Sequence, residues 1–121
     1  MNSKDKIQAR LKRKKRIRKK ISGTAVRPRL CVFKSLQNMY VQIVDDATGK
    51  VITGVSTLTP TVKSEVKYGG NVDSAKKVGQ AIAQKAIDLG IKEIIFDRNG
   101  FKYHGRVKAV AEGAREGGLI F

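Results

Sequence analysis

The stretch 29–57, RLCVFKSLQNMYVQIVDDATGKVITGVST, decides the fold. Within it Arg29 to Ser35, Met39 to Asp45 and Lys50 to Thr57 are rich in Val, Ile, Thr, Phe and Tyr, with the period-two pattern of strands. Short polar connections, Leu36-Gln37-Asn38 and Asp46-Ala47-Thr48-Gly49, separate the runs, so consecutive strands turn back on each other as an antiparallel meander. In the second run Met39, Val41 and Ile43 share one face, while Tyr40, Gln42 and Val44 share the other. One face of the sheet is therefore expected to be covered, and the other, mixed in polarity, to meet a polar partner.

Downstream, a short helix is expected over Val62 to Tyr68, ended by Gly69-Gly70. Asn71 is placed to N-cap a longer helix from Val72 to Leu89, whose Val72, Ala75, Val78, Ile82, Ala86 and Leu89 recur at steps of three and four, with Gly90 as its stop. Lys92 to Asp97 reads as a short, largely buried strand, and Val107, Val110, Ala111 and Ala114 mark a last helix. A strand–helix–strand crossover brings the late strand into the sheet in parallel. The predicted fold is α/β (α+β-like): a mixed sheet of three antiparallel strands plus one parallel strand, with helices packed on one face.

Upstream the material changes. The 121 residues hold 26 Lys plus Arg against 10 Asp plus Glu, a formal charge of +16. Residues 1–29 carry 13 of those cations and one acid, Asp5, for +12, which leaves +4 for residues 30–121. Ser3 to Ile21 has helix-forming composition, but Ile7, Leu11, Ile17 and Ile21 are its only large apolar residues, and Lys12 to Arg16 is an unbroken run of cations. Such a segment is expected to fray alone and become helical where phosphates neutralise it. Ser22 to Val26, with Gly23, reads as a hinge. The expected organisation is a basic, RNA-ordered N-terminal arm, 1–24, and a globular domain, 25–121.

This charge exceeds what solubility asks of a small domain, about 2 to 8 in magnitude, and points to a polyanion. An arm without aromatic residues does not suit a membrane surface. The uncharged run Val51 to Val62 is too short and too rich in threonine to span a bilayer, and no apolar stretch follows the basic start as in a secretory signal. A soluble intracellular protein is expected. Cys31 is the single cysteine, which excludes an intrachain disulfide; inside a strand run it reads as a small hydrophobe.

Four groups of residues are candidates for binding. In and after the arm, Arg10, Lys12, Arg13, Lys14, Lys15, Arg16, Arg18, Lys19, Lys20, Arg27 and Arg29 are each suited to a phosphate. In the late loop 97–106, Arg98, Lys102, Tyr103, His104 and Arg106 combine cations with rings that stack on unpaired bases; the competing reading is an Asn-Gly turn whose Phe101 and Tyr103 tuck into the core. At the first hairpin Phe33, Lys34, Ser35, Asn38, Tyr40 and Gln42 form a similar mixture, with Phe33 and Tyr40 as a simple cross-strand pair the plainer alternative. Gly69, Gly70 and Asn71 precede a helix and suit either a phosphate or a capping turn. They match no nucleotide-binding loop, so no cofactor is expected. Asp45, Asp46 and Asp97 lie near strand ends, but a metal-dependent nuclease would need several converging carboxylates, whereas adjacent Asp45 and Asp46 should point to opposite faces or sit in the turn, and Asp88, Glu93 and Glu112 are interspersed with lysines as on a surface. Neither a metal site nor catalysis is expected.

Arg27-Pro28-Arg29-Leu30 leading into Val32-Phe33-Lys34-Ser35, Tyr40-Val41-Gln42 with Asp45-Asp46 after it, Gly69-Gly70-Asn71-Val72, Ala75-Lys76-Lys77-Val78-Gly79, and Phe96-Asp97-Arg98 through Tyr103-His104-Gly105-Arg106-Val107 occur in this order along the whole chain. In that order they resemble the bacterial L-eighteen family of large-subunit ribosomal proteins. The resemblance implies a non-catalytic protein of the cytoplasmic ribosome that binds 5S ribosomal RNA and helps attach it to 23S RNA in the central protuberance. Its partners would be those two RNAs and neighbouring large-subunit proteins, including the other 5S-binding proteins, with no membrane and no small-molecule substrate. By position it carries RNA contacts to the hairpin group, to the glycine turn, and to Arg98, Tyr103, His104 and Arg106. Lys34 stands where the family often has Arg, which implies a point-charge contact rather than a bidentate one.

Overall fold

A computed structural model describes residues 3–66 and 68–121. The meander is present as β1 (Arg29–Lys34), β2 (Met39–Asp45) and β3 (Lys50–Ser56), paired antiparallel with Phe33 opposite Tyr40 and Gln42 opposite Gly54. Met39, Val41 and Ile43 are buried, as their alternation requires, whereas Gln42 is exposed. The fourth strand, β4 (Ile95–Asp97), lies parallel beside β1, giving the order β3-β2-β1-β4.

β4 is shorter than the 92–97 expected. Ile95 N–H donates to the Pro28 carbonyl at 2.9 Å, and Pro28 has no N–H with which to continue the ladder. The preceding residues turn to the C-terminal tail instead: Ile120 N–H donates to Lys92 and Ile94 N–H to Ile120, at 2.9 and 3.2 Å.

Two helices close the inner face of the sheet. α3 (Val72–Asp88) starts at Asn71, whose side chain accepts from Ser74 N–H at 2.8 Å, and ends before Gly90 at φ 83°. α4 (Arg106–Glu116) lies against it. Ala75, Val78, Ile82 and Ala86 meet Val107, Val110 and Ala114 over Leu30, Val32, Met39, Val41 and Ile43 in one buried core. The two helices approach so closely that a Cβ at Gly79 would run into the Val110 carbonyl, and one at Gly113 into that of Lys76. The helix expected over Val62 to Tyr68 is a single turn, α2 (Pro60–Lys63), with Val62 buried; Lys67, inside the expected span, lies outside the described residues.

The outer face carries α1 (Ser3–Arg18), a helix with no buried residue. The supposed hinge is held down: Gly23 is buried, its N–H donates to Asp46 Oδ2 at 2.6 Å, and a Cβ there would meet Arg29 and Val44. No helix among the described residues is long and apolar enough to cross a membrane.

Candidate nucleic-acid interface

α1 meets the body with one side only. Arg10, Arg13, Lys14 and Ile17 are half-buried, at steps of three and four, while Lys12, Lys15, Arg16 and Lys19 on the opposite side are exposed. Arg10 Nη1 donates to the Asn99 carbonyl at 2.9 Å, and Arg13 Nε to that of Gly100 at 2.8 Å. Arg18 reaches Asp97 Oδ2 at 3.5 Å and Asn99 Oδ1 at 3.4 Å. The Arg10 guanidinium lies 4.6 Å from the centre of the Phe101 ring and 5.7 Å from that of Phe33, near enough for a cation–π contribution. The helix expected to form where phosphates neutralise it is thus neutralised in part by carbonyls, a carboxylate and rings of its own body. Burial, with Arg18 and Arg10 nearby, holds the Lys14 ammonium below its ordinary pKa.

Arg29 requires a correction. It is buried, with Nε and Nη2 each 3.0 Å from the two Asp46 oxygens and Nη1 2.8 Å from Asp97 Oδ2. So buried and engaged, the guanidinium has a structural role: it joins β1 to the β2–β3 turn and the end of β4. The fork geometry raises the Arg29 pKa still further, so it is permanently charged, and holds the Asp46 carboxyl below its ordinary range. Asp46 and Asp97, two of the three acids considered for a nuclease, are thus engaged by Arg29, and Asp45 accepts from Ala47 N–H and the Thr48 hydroxyl within its own turn; among the described residues no group of three His, Cys, Asp or Glu is able to hold a metal. Cys31 is half-buried beside Arg18, and burial raises its thiol pKa.

The other candidates gather mostly at one end of the sheet. Arg106 Nη1 donates to the Ser35 carbonyl at 2.8 Å, which fixes the start of α4 to the β1–β2 turn. Asn38 Oδ1 accepts from Thr57 Oγ1 at 2.8 Å, and Gly69 packs so tightly there that a Cβ would meet Gln37, Asn38 and Thr57 at 2.7, 2.8 and 2.9 Å. Gly70 is equally close to the Leu36 carbonyl and the Tyr68 ring. The glycine turn is thus wedged against the hairpin, and Asn71 takes the capping role.

Phe33 and Tyr40 do form the cross-strand pair, with ring centres 6.1 Å apart, yet Phe33 remains 44% exposed. Phe101, the half-buried ring of the late loop, contacts Phe33 at 5.8 Å and lies under the Lys34 ammonium at 5.5 Å; burial and the adjacent Arg106 depress the Lys34 pKa. The late loop divides: Phe101 packs on the core, Tyr103 stands out against Phe96 at 5.9 Å, and Lys102 and His104 are exposed. Arg98 turns back to the Phe101 carbonyl at 2.8 Å. Lys19, Lys20 and Arg27 are exposed around the end of the arm.

Asn99 and Gly100, at φ 55° and 80°, were visible in the sequence only as a turn. Their role as the seat of α1 depends on long-range contacts that no local pattern encodes. The Arg29–Asp46–Asp97 network had a fainter signal, a cation at the head of an otherwise apolar strand run.

A mixed sheet closed by helices on one face, carrying on the other a helix with an unengaged cationic side and exposed aromatic rings, defines a small α/β protein of the polyanion-binding class. Residues 4–121 match the family described as Ribosomal L18 of archaea, bacteria, mitochondria and chloroplast, and the chain belongs to that family. Among its relatives are three proteins each named large ribosomal subunit protein uL18. That of Desulforamulus reducens is 56% identical over 117 residues, 97% of this chain and 96% of its own length. The Ruminiclostridium cellulolyticum protein is 52% identical over 121 residues, covering 100% and 99%. The Clostridioides difficile protein is 54% identical over 117, covering 97% and 96%.

Proposed function

We propose that this chain is a structural, non-catalytic constituent of the large ribosomal subunit in the bacterial cytoplasm, binding 5S ribosomal RNA and helping to attach it to 23S RNA in the central protuberance beside the other 5S-binding proteins. The observation that supports this reading most is the gathering of the hairpin, the glycine turn and the late loop at one end of the body, next to a helix whose outer side is cationic. In this reading the body, 25–121, selects RNA shape through Phe33, Lys34, Ser35, Tyr40 and Gln42 and through Lys102, Tyr103 and His104. The arm, 1–24, supplies charge through Lys12, Lys15, Arg16, Lys19 and Lys20, joined by Arg27, and its outer side is ordered further by phosphates. Arg10, Arg13, Arg18, Arg98 and Arg106 act by shaping that surface, with donors left over for RNA.

Neutralising roughly 6 to 10 phosphates makes affinity for 5S RNA fall by about three to five powers of ten between about 50 and 200 mM salt. Filter binding over that range checks it, and a flat titration would sink the proposal.

A further inference from the structure

We propose that Asn99 and Gly100 are positioning residues for RNA binding: they touch no RNA, and act as the seat that aims the outer cations of α1. This rests on the RNA-binding reading above. The seat is a run of backbone acceptors. Successive residues at φ 55° and 80° present the carbonyls of Asn99 and Gly100 to Arg10 and Arg13, at 2.9 and 2.8 Å, one turn apart on the helix. Arg18, two turns beyond Arg10, takes the Asn99 side chain and Asp97. Asp97 in turn accepts from Asn99 N–H at 2.8 Å, which sets the turn, and from Arg29 at 2.8 Å, which ties it to the sheet.

The fit is close. A Cβ on Gly100 would collide with the Arg10 carbonyl and come within 3.0 Å of Lys14 N, both backbone atoms of α1. Only glycine lets the helix lie this near. With the inner arginines engaged, the side chains on the far side, Lys12, Lys15, Arg16 and Lys19, rise along one exposed strip. A strip held on a rigid body meets several phosphates without first losing the conformational entropy of a free arm.

The fold contains its own control. Gly90 has nearly the same backbone, φ 83°, but nothing within 4 Å of its Cβ position. Gly90→Ala therefore imposes the positive-φ strain alone, whereas Gly100→Ala adds the collision with α1. The experiment measures affinity for 5S ribosomal RNA against salt for five full-length proteins: the parent, Gly90→Ala, Gly100→Ala, the quadruple variant Lys12→Gln, Lys15→Gln, Arg16→Gln and Lys19→Gln, and that quadruple variant combined with Gly100→Ala. Hydrogen exchange of residues 3–18 is followed without RNA.

Gly100→Ala is expected to weaken binding about tenfold and to lower the salt slope by about 2 to 4, as for a loss of several phosphate contacts. Gly90→Ala should match the parent, and Gly100→Ala should add nothing once the outer cations are gone. Faster exchange in α1, with the strands still protected, should accompany it. If Gly100→Ala binds like Gly90→Ala, or weakens the quadruple variant as much as the parent, the seat does not position the arm for RNA and the inference is overturned. A parent protein with no salt-dependent affinity overturns the RNA-binding reading instead, and the exchange data then still report whether the seat holds α1.

Discussion

The two faces of this one sheet are closed by different chemistry. Behind it, Leu30, Val32, Val41 and Ile43 are sealed by alanines, valines and Ile82 from α3 and α4, a contact that excludes water and needs no partner of a particular charge. In front, α1 buries no residue completely and is held by three arginines on carbonyls, a carboxylate and rings. Hydrophobic contact is strong and undirected; the arginine contacts are weaker individually but aim the helix. The inner face therefore holds most of the stability, and the outer face holds a geometry that a polyanion can use.

The sharpest way to break that division is at Ile82, fully buried on α3. Ile82→Ala should destabilise the fold by about 2 to 5 kcal/mol, read as a lower urea midpoint, while the protein that remains folded binds RNA with unchanged affinity and salt slope. A change in slope in the folded population would mean that the inner face shapes the interface after all.

A smaller effect is expected at Asp46, where the front is fastened to the sheet. Arg29 holds this carboxyl below its ordinary value of 3.8. The ionised form therefore stabilises the fold at every pH above the unfolded-chain value, and that contribution is lost as pH falls through the lower, folded-state value. Asp46→Asn should lower the melting temperature near neutrality, by an amount corresponding to about 1.5 to 3 kcal/mol for a charged hydrogen-bonded pair. The gap from the parent should narrow as the pH falls through the depressed, folded-state value, where the parent loses the same interaction. A gap independent of pH would assign the loss to packing rather than to the carboxylate charge.

The same contrast explains what could be read from the chain. Most of what periodicity organises was legible: the alternation of Met39, Val41 and Ile43, the Ala75, Val78, Ile82 and Ala86 stripe of α3 with its Asn71 cap, and the parallel placement of β4 that a crossover demands; Val72 and Leu89, expected on the same stripe, are exposed. The hairpin and late-loop groups were legible as composition, and several of them do meet, through Arg106 on Ser35 and Phe33 on Phe101. What composition could not rank was the cations. Arg29 and Arg16 look alike in sequence, yet one is walled in by Asp46 and Asp97, 17 and 68 residues away, and the other faces out. Gly100 likewise fits a loop by any local rule, and its real constraint is a helix nearly ninety residues upstream. Long-range polar pairing leaves no period in the sequence.

The smallest expected effect is at Gln42, which tests whether the exposed sheet recognises RNA by shape or only by charge. Gln42 is exposed in mid-strand, with Gly54 opposite it on β3, so its side chain stands over an open patch between Tyr40 and Ser56. Gln42→Ala removes neither apolar burial nor a charge, and stability should stay within about 0.5 kcal/mol. If the amide hydrogen-bonds a base or ribose, affinity for 5S RNA should fall by about two- to tenfold, the worth of one such bond. The salt slope should not move, because a neutral side chain releases no counterion. That combination separates it from any Lys→Gln change on α1, which must lower both together. An unchanged affinity would confine recognition to the hairpin end and the arm, and leave the middle of the outer sheet as bare surface.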